Sequence, residues 1–330
     1  MNPEIKKELK IPVRSDSKGY FDRECPSEKC KQKFKVNLND WDQNSKKSMY
    51  CPFCHHFAPY NMWHTSDQVP LIEENCKIAA ENYGAEMINA FSDKMANIFN
   101  HPGSVVSVKY NRLECKPLKQ IGQSEEYKID AICIKCGCKY SFVGTALFCP
   151  FCGENQQDQM FPRFIDLIKK RIRNTQNKDN YADCDLDTTE SLIRDDLEHS
   201  ISKTVSCFQD FASFQYKKVV SGFNRPNDFQ NLGVGNNNFK DVGVGEYKDW
   251  TSDDEMSFIR IMFQKRHIIE HNGGIVDEEY LKKSGDTTYK IGERLSINCD
   301  ECIRFSEVIL KLGTSIKDAV EKKIKKSSST

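Results

Sequence analysis

Cysteines arrive in pairs in this chain, and the pairs repeat. Cys25 and Cys30 are followed by Cys51 and Cys54 of "YCPFCHH"; Cys133, Cys136 and Cys138 of "ICIKCGCKYSF" are followed by Cys149 and Cys152 of "FCPFCGE". The two copies share an identical C-P-F-C. Their first halves align as C-x4-C, with Cys25, Cys30 and Phe34 matching Cys133, Cys138 and Phe142. Zinc takes four soft ligands in a tetrahedron, and cysteine pairs on short turns deliver two thiolates from each side of a small β-module that has too little core to fold alone. Each copy therefore reads as a zinc ribbon, giving two structural Zn2+ ions per chain. In the second copy the C-x2-C-G spacing favours Cys136 as a ligand and the repeat favours Cys138. Cys299 and Cys302 also stand two apart, but with Phe305, Ile309, Leu312, Ile316 and Val320 they form the apolar stripe of one helix and read as core.

Composition supports the metal reading. The chain carries fifteen cysteines, and its start, "MNPEIKKELKIPV", lacks the apolar stretch of a secretory signal, so a reducing, cytoplasmic setting is expected, in which thiols stay available to metals. No run approaches the ~18 apolar residues of a membrane span. Lysine plus arginine (48) balance aspartate plus glutamate (48), so any affinity for a polyanion must come from local patches.

The spacing divides the chain into a zinc ribbon over 1–66, a linking helix and strands over 67–130, a second ribbon over 131–158, and a helical bundle over 160–326. The expected fold class is α+β. Residues 71–99 are periodic enough for one long helix, and "SVVSVKYNRL" and "EYKIDAICI" look like strands. "PRFIDLIKKRIRN" begins a helix with proline near its first turn, and Asp187-Thr-Thr-Glu190 caps a helix whose stripe is Leu197, Ile201, Val205 and Phe208. The glycine- and asparagine-rich segment "NLGVGNNNFKDVGVG" intervenes; its two GVG steps make no dinucleotide fingerprint. Ser252-Asp-Asp-Glu255 is a capping box opening a helix that Gly273 ends.

That helix carries "KRHIIEHNGG" at its end. His267-Ile-Ile-Glu270-His271 fits H-x-x-E-H, the inverted zinc-peptidase signature. Against a metallopeptidase, the helix ends just after His271, and the stretch that follows offers core stripe and basic surface rather than a third ligand. Arg266-x4-His271 supports different chemistry. Metal-free RNA cleavage needs a proton acceptor for the 2′-hydroxyl, a donor for the leaving 5′-oxygen and a cation over the phosphorus, and histidine and arginine supply these. Positions five apart on an ideal helix differ by about 140°, so one helix presents Arg266 and His271 together only poorly.

With its flanks "FQNLGVGNNNFKDVGVG" and "FQKRHIIEHNGGIVDEEYL", this segment resembles the R-x(4–6)-H motif of HEPN-domain ribonucleases, and the resemblance covers residues 160–325. It is similar to bacterial HEPN proteins with N-terminal zinc ribbons. The family usually has a polar residue after the arginine, where this chain has His267. The resemblance implies an all-α HEPN-like bundle and a metal-independent endoribonuclease acting as a homodimer on RNA. Two motifs would meet across the two-fold axis, with catalytic roles for Arg266, His271, His267 and Asn272. It also implies phage defence or a toxin-antitoxin system with an antitoxin partner. The alternative is a HEPN bundle that binds RNA or protein without cutting.

Overall fold

The computed structural model describes residues 11–44, 48–100, 102–103, 105–122, 124–125, 127, 129–223 and 225–328. The chain is mixed α+β and divides into two compact units, Met1–Gln156 and Gln157–Thr330. No helix among the described residues is long and apolar enough to cross a membrane.

The first unit is built on one antiparallel sheet of order β1-β2-β6-β5, formed by β1 (Tyr20–Glu24), β2 (Lys33–Asn37), β5 (Ile129–Ile132) and β6 (Lys139–Phe142). A short helix α1 (Leu38–Asn44) follows β2, and β3 (Met49–Tyr50) pairs with β4 (Phe57–Ala58) as a separate two-stranded ribbon. The two cysteine modules are thus halves of one sheet, joined where β2 pairs with β6 at Phe34↔Phe142, Lys35↔Ser141 and Val36↔Tyr140. The halves are related by a local two-fold that passes between Lys35 and Ser141. A second junction obeys the same symmetry: the Tyr50 N–H donates to the Pro150 carbonyl (2.9 Å), and the Phe148 N–H donates to the equivalent Pro52 carbonyl (3.0 Å). Phe34, Val36, Tyr140 and Phe142 are all buried, so the apolar face of each half is completed by the other. Lys35 is fully buried as well. Its ammonium lies 3.0 Å from Asp22 and 3.4 Å from Asp16 and donates to the Ser124 carbonyl at 3.1 Å, which compensates the desolvation of the charge.

Between the halves in sequence stands α2 (Val69–Phe99), two residues longer at its start than its periodicity predicts. Residues 105–120 form no strand. They run extended and antiparallel along α2, held by an asparagine ladder. Asn75, Asn82 and Asn89 each donate from Nδ2 to a backbone carbonyl, of Lys119, Lys116 and Leu113 respectively, and accept that same residue's N–H, all at 2.7–2.9 Å. Asn100 repeats the arrangement with Val108. The spacing is geometric: seven helical residues rise about 10.5 Å, and three extended residues span about 10 Å. Ion pairs Glu74–Lys119, Glu81–Lys116 and Asp93–Arg112 flank the rungs.

The second unit is a bundle of α3 (Gln157–Asn174), α4 (Leu186–Lys217), α6 (Asp253–Asn272) and α8 (Cys299–Ser328), with the shorter α5 (Leu232–Asp241) and α7 (Glu278–Ser284) between them. Its core holds Leu197, Ile201, Val205 and Phe208 of α4 and Cys302, Phe305, Ile309, Leu312, Ile316 and Val320 of α8, with Cys299 packed at the edge. Several boundaries differ from the sequence expectation. α3 begins at Gln157, with Pro162 inside it, because Gln215 and Lys218 at the end of α4 both bond Asp158 and fix the first turn. The cap of α4 is Asp185, accepting the Thr188 N–H at 2.8 Å, two residues before the expected site. The glycine- and asparagine-rich segment is largely helix: Asn231 caps α5, Phe239 is buried, and Gly235 is packed so tightly that a Cβ would lie 2.6 Å from the Tyr247 hydroxyl. The capping box of α6 is present, with Ser252 and Glu255 each accepting the other's N–H, and Gly273 closes the helix at φ 58°.

Candidate metal centres and a basic cleft

Each half of the sheet carries two turns of the same design. The N–H of the first cysteine donates across the turn, from Cys25 to the Gln32 carbonyl, Cys51 to His56, Cys133 to Cys138 and Cys149 to Glu154, at 2.8–3.0 Å. The residue after the second cysteine is left-handed in all four: Lys31 (φ 50°), His55 (61°), Gly137 (74°) and Gly153 (71°). At Gly153 a Cβ would sit 3.0 Å from the Tyr50 ring, so a side chain there would press on it.

These turns bring Cys25, Cys30, Cys51 and Cys54 together at one centre and Cys133, Cys136, Cys149 and Cys152 at the other, with the sulfurs of each set within 4.8 Å of one another. Across the turns the separations are 3.7 Å (Cys25–Cys54), 3.8 Å (Cys30–Cys51), 3.6 Å (Cys133–Cys152) and 3.6 Å (Cys136–Cys149). A tetrahedral ion about 2.3 Å from each thiolate has sulfur edges of about 3.8 Å, so both sets fit a metal. Cys138 stands outside: it lies just before β6, and its Sγ lies 3.9 Å from the Cys136 carbonyl oxygen. The C-x4-C alignment of Cys30 with Cys138 is therefore corrected by two residues. Cys30 is the equivalent of Cys136, and the first turn of the first half is two residues longer.

Amide donors surround the sulfurs. Phe53 N–H points at Cys51 Sγ (3.4 Å), and Cys133 Sγ accepts from Lys135 N–H (3.4 Å), Cys136 N–H (3.5 Å) and Gln156 Nε2 (3.4 Å). Such donors stabilise thiolate charge around a bound cation. Burial pushes the Cys25 thiol up to about 12, so this ligand resists ionising unless a cation offsets the charge.

In the second unit a cleft of about 450 Å3 opens along α6. Arg260, Gln264 and His267, spaced four and three apart, present one face of α6 to it; Arg266, Lys283 of α7 and Asn227 are also in its lining, which contains no aspartate or glutamate among the described residues. The start of α5, Asn231 to Gly233, reaches the same cleft and adds the partial positive charge of a helix N-terminus. The Arg266 Nε is buried and has no hydrogen-bond partner among the described residues, leaving a donor for an incoming acceptor.

The other residues of the motif divide in role. The His267 and His271 rings are 4.9 Å apart, His271 being exposed and beyond the lining of the cleft. Glu270 accepts from Ser202 Oγ of α4 at 2.6 Å. Asn272, given a catalytic role by the resemblance, donates to the Ile275 carbonyl at 2.8 Å and to Asp277 at 3.4 Å, which commits it to the turn closing α6. Among the described residues no third metal-ligating side chain joins His267 and His271, so the H-x-x-E-H reading has no complete donor set. Arg260, Gln264 and Lys283 escape sequence reasoning, although the Arg260-x3-Gln264-x2-His267 spacing is a polar stripe along α6. No protein-family model, curated protein or solved structure matches this chain.

Proposed function

We propose that the protein is a zinc-stabilised endoribonuclease of HEPN type, in which the paired cysteine centres hold zinc and the α6 cleft binds and cleaves RNA without a catalytic metal. The observation that carries this reading is the cleft itself: three cations and no carboxylate among the described lining residues, with the partnerless Arg266 Nε and His267 both on α6 in that lining. Arginine pairs with phosphate oxygens through a planar fork, and Arg260 and Lys283 track the neighbouring backbone charges. Histidine exchanges protons near neutral pH. One histidine takes the 2′-hydroxyl proton as that oxygen attacks phosphorus; the P–O5′ bond breaks, the 5′-oxygen receives a proton from the other, and a 2′,3′-cyclic phosphate remains. The exposure of His271 leaves it open to a second copy of the motif, as the homodimer implied by the HEPN resemblance requires. The defence and antitoxin context stands on that resemblance alone.

The test is incubation of the purified protein with total RNA in a chelator that leaves the cysteine centres loaded. Cleavage giving cyclic-phosphate ends, abolished in both Arg266→Ala and His271→Ala, supports the reading. Products with 3′-hydroxyl ends overturn it, and RNA binding without any cleavage replaces it by a binding module.

A further inference from the structure

The asparagine ladder occupies one face of α2 and leaves the opposite face open among the described residues. Written as heptads, Asn75, Asn82 and Asn89 all fall at f. The a and d positions, diametrically opposite, run Ala80, Gly84, Met87, Phe91, Lys94 and Ile98, at spacings of four and three throughout. On that face Met87 is 57% exposed, Phe91 64% and Ile98 59%, and Ile88 beside them 54%. Four of these six positions, Ala80, Met87, Phe91 and Ile98, are apolar, and their 3.5-residue spacing is the period at which a helix pairs with another helix.

We infer that this face is the seam of an antiparallel pairing between the α2 helices of two copies of the chain. Three observations select the second copy and its direction. In a parallel pair the same positions meet, so two Lys94 ammoniums would be forced together inside the seam and two Gly84 would leave a void. In the antiparallel register Phe91 packs on Met87 of the other copy, Ile98 on Ala80, and the Lys94 stem crosses Gly84. The like charges then lie at opposite ends of the seam, and each Lys94 ends about one turn from Glu81 of the facing helix. Gly84 is the second observation: a Cβ there would meet nothing within 4 Å, so no neighbour among the described residues requires a glycine, which costs a helix interior about 1 kcal/mol. A facing side chain does require it. The third is area. Met87, Ile88, Phe91 and Ile98 are each more than half exposed, so the face offers roughly 400 Å2 per copy, and two copies approach the ~1,000 Å2 lower bound of a specific interface.

This pairing is independent of the ribonuclease reading and of any association through α6. It is tested on the full chain by light-scattering mass measurement at micromolar concentration, comparing the wild type with Met87→Glu/Phe91→Glu. The expected result is a halving of the mass with unchanged helical content by circular dichroism, because both substituted side chains already face outward. A photo-crosslinking residue at Ile98 is expected to capture the peptide around Ala80. An unchanged mass, a monomeric wild type or an exclusively heterologous partner on this face overturns the pairing. Capture of the peptide around Ile98 itself overturns the antiparallel direction.

Discussion

Asn82 holds Lys116 by both backbone groups, donating to its carbonyl and accepting its N–H, each at 2.8 Å. A side chain here does what a neighbouring strand would do, and 34 residues of sequence separate the partners. A hydrogen bond of this sort contributes about 0.5–1.5 kcal/mol. Asn82→Ala should therefore destabilise the segment locally by about 1–2 kcal/mol and raise hydrogen exchange at the Lys116 amide. Asn82→Asp keeps the acceptor for the N–H but removes the donor, and its Lys116 amide should stay better protected than in the alanine variant. Equal protection in all three proteins would show that the ladder does not hold the segment.

Metal content separates Cys136 from Cys138. Two zinc ions per chain are expected in freshly purified reduced protein. Cys136→Ser should lose one of them and Cys138→Ser should keep both, as read by elemental analysis and by thiol titration of the denatured chain.

Gly313 sets two opposing effects against each other. Alanine is better than glycine in a helix by about 1 kcal/mol, yet a Cβ at Gly313 would lie 2.5 Å from the Phe161 ring. That ring is buried and stacked on Phe211 at 4.1 Å, so it has little room to retreat. Overpacking costs typically about 1–3 kcal/mol, and Gly313→Ala should lower the denaturation midpoint. A rise in the midpoint would mean that the helix-propensity effect dominates.

The cleft predicts different kinetic signatures for its residues. Loss of a general acid or base costs about 10²–10⁴-fold in rate, the range expected for His271→Ala and Arg266→Ala. Lys283→Ala and Arg260→Ala should instead weaken RNA binding, with kcat largely kept. Each should also flatten the salt dependence of binding to a single strand, by about 0.7 in slope for every phosphate no longer neutralised. Fluorescence anisotropy across a salt series, set beside cleavage rates, checks both.

Local signals made half of this architecture legible. The capping box at Ser252 and Glu255, the left-handed Gly273 and the α8 stripe act within a few residues, and the sequence displays them directly. The cysteine pairs located both metal centres, but the repeat misaligned Cys30 with Cys138. The better signal was the left-handed residue after the second cysteine, visible as Gly137 and Gly153 and hidden where Lys31 and His55 adopt the same conformation. Residues 105–113 read as a strand because an extended backbone has the same side-chain pattern whether a strand or a row of asparagines bonds it. α5 is not legible as a helix because glycine and asparagine are poor helix formers; burial of Phe239 and the fit of Gly235 against Tyr247 override that preference. The cleft required tertiary structure, since Lys283 and Arg266 come from different helices.

The pairing of β2 with β6 also bears on the order of events during synthesis. Lys35 and Ser141 are 106 positions apart (141 − 35), so when the first metal centre can already load, the strand that covers β2 has not left the ribosome. For that interval β2 is an open edge carrying Phe34 and Val36, the kind of surface on which nascent chains join one another. Closing so long a loop is also slow relative to local folding. Zinc supply and translation speed should therefore govern the yield of this protein more than its final stability does, with the vulnerable species being the chain stalled between its two halves.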